Sequence, residues 1–279
     1  MADLQLLLCS DLDRTLIPNG AQPESPGARD RLRALAARDD VQLAYVSGRH
    51  RALIEEAIET WSLPLPDYAI GDVGTTIYRV AEDGWSPLPG WQAQIAPDWQ
   101  GRDGAALAGL LEGIDGLTLQ EAEKQNRFKL SYYAALSGDS TALLAEVARR
   151  LAQHGIRAKS IWSIDEEKGV GLLDVLPASA DKLAAIRYLM AELGADERQT
   201  LFSGDSGNDL EPLTSGLQAV LVANAAPEVR EAALAGAAQP QRLYLATGGF
   251  LGMNGHYSAG VLEGVAHFMP ALGRWLADG

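Results

Sequence analysis

The sequence predicts an α/β fold: a doubly wound, Rossmann-like parallel sheet that carries an inserted α+β module. Three observations lead there. Short continuous apolar runs alternate with helical patterns, as strands covered on both faces require. Acidic clusters follow directly on two of those runs, Asp11-Leu12-Asp13-Arg14-Thr15 and Gly204-Asp205-Ser206-Gly207-Asn208-Asp209, and doubly wound sheets bind ligands beyond the carboxyl ends of their strands. Between the clusters the texture changes where Trp85, Trp91 and Trp99 crowd Pro87, Pro89 and Pro97, a composition shift that marks a domain boundary.

Taken in order, Leu4 to Cys9 reads as the first strand. Pro18, Asn19 and Gly20 break the chain, and Pro26 opens a helix to about Ala37 with Leu32 and Leu35 inward. Val41 to Val46 is the second strand, followed by Ser47-Gly48-Arg49 and a helix through Ile58. Tyr68 to Ile70 and Thr75 to Val80 form a third strand and its hairpin-like continuation. The insert, residues 85–177, reads as helices at 102–111 and 140–154 with strands at 117–121, 127–135, 157–163 and 171–176. Helices on one face of an antiparallel sheet make an α+β module. Residues 1–84 and 178–279 make the parallel core, which resumes with a helix at 180–193, a strand at 200–203, a helix start near Asn208 and strands at 219–222 and 243–245. A short helix at 260–268 follows, with Val261, Leu262 and Val265 inward.

Composition excludes several functions. A net charge of −14 over 279 residues repels nucleic acid and anionic membranes alike. One cysteine, Cys9, permits neither a disulfide framework nor a zinc cluster and suits a small buried hydrophobe. No apolar run approaches the roughly 20 residues that span a bilayer, and no basic leader precedes Leu4, so a soluble cytoplasmic protein is expected.

The chemistry is expected at the strand ends. Asp11 and Asp13 lie so close that each raises the other's pKa unless a cation intervenes, and Mg²⁺, a hard oxygen-seeking ion, relieves that repulsion. Asp205 and Asp209 follow another strand on a Gly-rich turn, with Asn208 near a helix start that favours anions. Either cluster alone would pass for an Asx turn or an N-cap. Together, at equivalent strand ends, they predict one metal and phosphate site. Ser47 ends the second strand at the same edge, and Lys182 begins a core helix, where an acidic site needs a fixed cation for a phosphate dianion. Surface or packing roles are expected for His50, His154 and His267, while His256 lies on a Gly-rich loop that could approach the site.

These four elements, in this order, resemble the haloacid dehalogenase-like phosphatases with a type IIB cap. Within that superfamily the chain is similar to the sucrose-phosphate phosphatases, on Val73-Gly74-Thr75, Gln125-Asn126-Arg127-Phe128-Lys129-Leu130-Ser131-Tyr132, the cluster from Gly204 to Asp209, and Ala259-Gly260 with Ala266-His267-Phe268. Two departures stand out. Leu183 follows Lys182 where the family has glycine, and Glu166-Glu167-Lys168-Gly169-Val170-Gly171-Leu172 replaces a shorter Gly-Lys-Asp-like segment.

The resemblance implies that Asp11 attacks phosphorus and that Asp13 serves as acid and base, which requires a usefully high pKa. It implies a Mg²⁺ held by Asp11, the Asp13 carbonyl and Asp205, with Asp209 supporting that shell or Lys182. Thr15, Ser47, Lys182 and Asn208 would serve the phosphoryl group, and Gln125, Asn126 and Lys129 of the cap would touch the sugar. Sucrose 6-phosphate leads as substrate, ahead of mannosylfructose, glucosylglycerol and mannosylglycerate phosphates. A glycosyltransferase of the sucrose-phosphate synthase kind, which makes the phosphorylated substrate, is the natural functional partner. A DxD glycosyltransferase, a sugar phosphomutase and a non-catalytic sugar-phosphate sensor are the competing classes.

Overall fold

The computed structural model describes residues 4–136, 138–165 and 168–278. Glu166 and Glu167, part of the segment that departs from the family pattern, lie outside the described residues. The chain divides into two compact units, Met1–Pro87 with Lys182–Gly279, and Leu88–Asp181.

The first unit begins with β1 (Leu6–Ser10), α1 (Ala28–Ala36), β2 (Val41–Val46), α2 (Arg51–Trp61), β3 (Tyr68–Gly71), β4 (Thr76–Ala81) and β5 (Gly84–Pro87). The second contains α3 (Pro89–Ile95), α4 (Gly104–Leu111), β6 (Leu117–Leu119), β7 (Leu130–Ala134), α5 (Ser140–Gln153), β8 (Ala158–Asp165) and β9 (Val170–Pro177). The first unit then resumes with α6 (Lys182–Leu193), β10 (Thr200–Gly204), α7 (Leu210–Thr214), β11 (Gln218–Leu221), α8 (Pro227–Gly236), β12 (Leu243–Leu245), α9 (Ser258–Phe268) and α10 (Pro270–Asp278).

In the first unit the strands run in the order β12-β11-β10-β1-β2-β3-β4-β5. The six from β12 to β3 are parallel and the last two turn back antiparallel. All five residues of β1 are buried, which explains its unbroken apolar run. Sequence order reverses at β1, with β2 on one side and β10 on the other, and Ser10 pairs with both Tyr45 and Ser203. The ends of three strands therefore lie level at the switch point where such sheets bind ligands.

Leu32 and Leu35 of α1 and Val261, Leu262 and Val265 of α9 point into one core, as their spacing requires. Three helices escape a reading of spacing alone. The prolines at 89, 227 and 270 look like breakers, yet each stands at the first turn of α3, α8 or α10, where its missing N–H costs nothing.

The second unit is a four-stranded antiparallel sheet, β6-β7-β9-β8. Asp103 caps α4 by accepting from the Ala106 N–H, and Asp139 caps α5 by accepting from Thr141 and Ala142. Trp91 and Trp99 are fully buried there, which makes them packing residues. The unit limits differ from the composition shift by three or four residues. Gly84–Pro87 pairs with β4 as an edge strand, and Ala178 and Ser179 donate their N–H groups to the Arg157 carbonyl and Asp98.

Candidate active site

The loop after β1 is wound tightly over the sheet end. The Leu12 carbonyl accepts from the N–H groups of Thr15, Leu16 and Ile17 at 3.2, 2.9 and 2.8 Å. Leu12, Leu16 and Ile17 are fully buried, so the apolar residues of the loop anchor it from below. Asp11 donates its N–H to the Ser203 carbonyl on β10 at 2.9 Å, which keeps the loop tied to the neighbouring strand.

Lys182 gathers the site. Its ammonium donates to Asp11 Oδ1 at 2.9 Å, Asp209 Oδ1 at 2.7 Å and Asn208 Oδ1 at 3.2 Å. Burial opposes its charge, but the two carboxylates hold its pKa above the usual lysine range. Burial also pushes the Asp11 carboxyl up, and the nearby Asp209 charge adds to this against the opposing pull of Lys182. Asp205 is pushed up to about 6 by burial and by Asp209, with Arg14 acting in the other direction.

Asp209, fully buried, spends its second oxygen on the turn itself, accepting from the N–H groups of Asp205 and Ser206 at 3.2 Å each and from the Ser206 hydroxyl at 3.1 Å. That geometry braces Lys182 and the β10 loop. A Cβ on Gly204 would stand 2.7 Å from the Asp209 carboxyl carbon, so the close approach of this brace requires glycine there.

Asp13 differs from expectation. The Arg49 guanidinium grips it at both oxygens, Nε to Oδ2 at 2.8 Å and Nη2 to Oδ1 at 2.7 Å, and Asn19 donates to Oδ1 at 2.9 Å. Burial works against the charge, but these bonds outweigh it and hold the carboxyl below its ordinary range. The high pKa expected of an acid and base is therefore not the property of this arrangement. Protonation of Asp13 would compete with the Arg49 fork.

Ser47 is buried beside this pair and its hydroxyl accepts from the Arg49 N–H at 3.1 Å. Thr15 is fully buried, and its hydroxyl has no hydrogen-bond partner among the described residues. Asp11, Asp13, Arg14, Ser47, Asp205 and Asn208 line a cavity of about 430 Å³, whereas Thr15, Lys182 and Asp209 lie beneath its surface.

The donor set suits a hard divalent cation. Asp11, Asp205 and Asp209 each offer a carboxylate oxygen within 4.8 Å of the others, all three residues buried, and only oxygen ligands are offered, as Mg²⁺ prefers. Burial and the neighbouring Asp209 charge raise the pKa values of Asp11 and Asp205, and a divalent cation held between them would lower both.

Four residues beyond those expected shape the site: Arg14, Asn19, Arg49 and Asn224. Arg14 and Arg49 stand inside the motifs that pointed to the site, so adjacency to Asp13 and Ser47 was their signal. Asn19 had only a turn signature. Asn224 had none, and its amide donates to the Arg14 carbonyl at 2.6 Å while accepting from the Tyr257 N–H at 2.9 Å. His256, on the Gly-rich loop, places Nδ1 3.2 Å from the Pro23 carbonyl.

In the second unit, Gln125 commits its whole amide to backbone. It donates to the carbonyls of Gln120 and Ser131 at 3.1 and 2.9 Å and accepts from the Ser131 N–H at 2.8 Å. Asn126 accepts from the Phe128 N–H at 2.7 Å. Lys129 is buried with its ammonium 3.8 Å from Asp174.

The sequence profile of the sucrose-6F-phosphate phosphohydrolase family matches residues 4–269. The chain belongs to that family. It is a phosphoric monoester hydrolase with the haloacid dehalogenase-like fold. It is 57% identical over 277 residues to a putative HAD-like hydrolase of Nitrosococcus oceani, a match covering 99% of this chain and 75% of that protein. A mannosylfructose-phosphate phosphatase of Agrobacterium fabrum is 32% identical over 269 residues, 94% of this chain and 96% of that one. Among solved structures, the sucrose-phosphatase of Synechocystis, in complex with sucrose and phosphate, superposes with a TM-score of 0.71 at 29% identity, covering 95% of this chain and 98% of that one.

Proposed function

We propose that this phosphatase is Mg²⁺-dependent and hydrolyses the phosphate monoester of a glycoside, first of all sucrose 6-phosphate to sucrose and phosphate, through an aspartyl-phosphate on Asp11. One observation carries the assignment: the Asp11 carboxylate, 5% exposed, lines the cavity at the switch point while Lys182 fixes its other side at 2.9 Å. A buried, oriented carboxylate at a strand end is suited to attack phosphorus in line, and the covalent intermediate divides one difficult hydrolysis into two steps.

Asp11 forms its bond to phosphorus as the bond to the glycoside oxygen breaks, and Asp13 delivers a proton to that oxygen. Asp13 then removes a proton from the water that attacks the aspartyl-phosphate, which restores Asp11 and releases phosphate. Arg49 holds Asp13 over the cavity in both steps, yielding one oxygen when the proton is carried. Ser47 and Asn208 contact the phosphoryl oxygens and Lys182 stabilises their charge from beneath. Mg²⁺, held by Asp11, the Asp13 carbonyl and Asp205, would supply the charge that lets an anionic nucleophile approach an anionic phosphate. Thr15 shapes the loop, and Asp209 braces Lys182.

Selection of the sugar is assigned to the second unit, with Lys129 as the leading contact and Gln125 and Asn126 holding its loop in shape. A glycosyltransferase that makes the phosphorylated glycoside is the proposed functional partner. Mannosylfructose phosphate is the second substrate reading, favoured by the Agrobacterium phosphatase, which matches this chain along nearly the whole of both lengths. Phosphate release from a panel of phosphorylated glycosides, with Mg²⁺ or EDTA, tests the assignment. Fastest release from sucrose 6-phosphate, abolished by EDTA, is expected; no release from any member would overturn it in favour of a sensor.

A further inference from the structure

We propose that Arg14 binds the phosphoryl group, and that its guanidinium exchanges the Asp205 carboxylate for phosphate oxygens when a divalent cation takes that carboxylate. The inference rests on the phosphatase assignment above and adds to it a phosphate contact of different chemistry.

It starts from the cations at the cavity. Lys182 has three N–H donors, and they are directed to Asp11, Asp209 and Asn208. Arg49 gives its fork to Asp13. Arg14 is different. Its Nε lies 3.2 Å from Asp205 Oδ2 and its Nη2 donates to the Asn224 carbonyl at 3.3 Å, while Nη1 has no hydrogen-bond partner among the described residues. The side chain is 45% exposed and lines the cavity with Asp11, Ser47 and Asn208.

The backbone holds Arg14 in place for this task. Its φ of 58° is left-handed, a conformation unfavourable for a residue with a Cβ, so the surroundings must impose it. Its N–H donates to Asn19 Oδ1 at 2.9 Å and the Ile17 carbonyl at 3.1 Å, and its carbonyl accepts from Asn224 Nδ2 at 2.6 Å. Asn224 is itself 4% exposed and tied to Tyr257. The loop is thus clamped so that the guanidinium stands over Asp205.

Electrostatics supply the exchange. In formal charge, four carboxylates, Asp11, Asp13, Asp205 and Asp209, face the three cations, one negative group more than positive before anything binds. A divalent ion reverses that sign and competes with Arg14 for Asp205. The displaced guanidinium keeps its forked donors, whose geometry matches phosphate oxygens.

Arg14 should therefore oppose the metal and favour phosphate. Calorimetry with Mg²⁺ alone is expected to find that Arg14→Ala binds the ion about threefold more tightly than the natural chain, because one competing ion pair is gone. With Mg²⁺ saturating, inhibition by inorganic phosphate should weaken about tenfold and KM for the sugar phosphate rise similarly, with kcat nearly unchanged, since a contact made equally in ground and transition states acts on KM. Arg14→Lys should restore part of the phosphate affinity. Should Arg14→Ala melt early, Arg14→Gln removes the charge while keeping the length. Phosphate inhibition unchanged in both variants overturns the inference while leaving the phosphatase assignment intact. So does a parallel loss of Mg²⁺ and phosphate affinity, the mark of a merely structural residue. A natural chain that binds no Mg²⁺ and releases no phosphate would overturn both.

Discussion

In the first unit, polar side chains from distant parts of the chain turn toward one another: Lys182 reaches back 171 positions to Asp11, and Arg49 reaches 36 positions to Asp13. In the second unit Gln125 closes on backbone five and six positions away, and Asn126 accepts from the N–H two positions away. Burying the Lys182–Asp11 pair costs desolvation that only close, well-directed hydrogen bonds offset, whereas short-range amide clips satisfy backbone groups that the sheet leaves open. The contrast distinguishes a cluster assembled from distant residues from a loop held by its own backbone bonds.

The largest expected effect lies in the first unit. Asp13→Asn should slow hydrolysis of the sugar phosphate by roughly 10²–10⁴-fold, the usual worth of a positioned acid and base, and slow an aryl phosphate far less because that leaving group departs without a proton. Equal slowing of both substrates would remove Asp13 from the proton transfer. Lys182→Met leaves Asp11 and Asp209 buried without their cation, and urea unfolding should find the protein less stable by about 3–5 kcal/mol, as for other broken buried pairs. A loss below about 1 kcal/mol, the size of a surface pair, would erase the distinction between the units.

Next in size is the response to pH. Asp205 rises from 3.8 toward about 6 on folding, through burial and the charge of Asp209. A carboxyl raised on folding contributes stability that is fully present below its unfolded value and is lost as pH climbs through the folded one. In EDTA, the melting temperature should therefore fall across that window, less so in Asp205→Asn, and Mg²⁺ should flatten the fall. A profile in EDTA that is identical in the natural chain and Asp205→Asn would contradict the assigned environment.

The smallest effects belong to the second unit. Gln125→Leu should lower the melting temperature by a few degrees through lost backbone bonds, about 1 kcal/mol each, with KM unchanged. Lys129→Met should raise KM for the sugar phosphate but not for an aryl phosphate. A KM effect from Gln125→Leu equal to that of Lys129→Met would return the amide to the sugar.

Much of this contrast could be read in advance, for a physical reason. Buried parallel strands need unbroken apolar runs, so β1 and β2 announce themselves, and residues at their ends share one edge whatever lies between them. Asp11, Ser47 and Asp205 were therefore legible in the chain, and Lys182, at a helix start, through the need of an acidic site for a fixed cation. The charge state of Asp13 was not, because it depends on the direction an arginine takes after Ser47. Asn224 was silent for a similar reason: a single asparagine between β11 and α8 carries no pattern, and its value arises only from two loops meeting there. Residues 125 to 129 showed polarity but not direction, and direction decides between a sugar and a backbone carbonyl.

Acid-quenched turnover with sugar phosphate and Mg²⁺, followed by peptide mass spectrometry, tests the nucleophile most directly. A phosphoryl group on the peptide that contains Asp11 is expected, and its absence from Asp11→Asn, which should stay folded and release no phosphate. Near-normal phosphate release by Asp11→Asn, or a phosphoryl group carried on another residue, would contradict it.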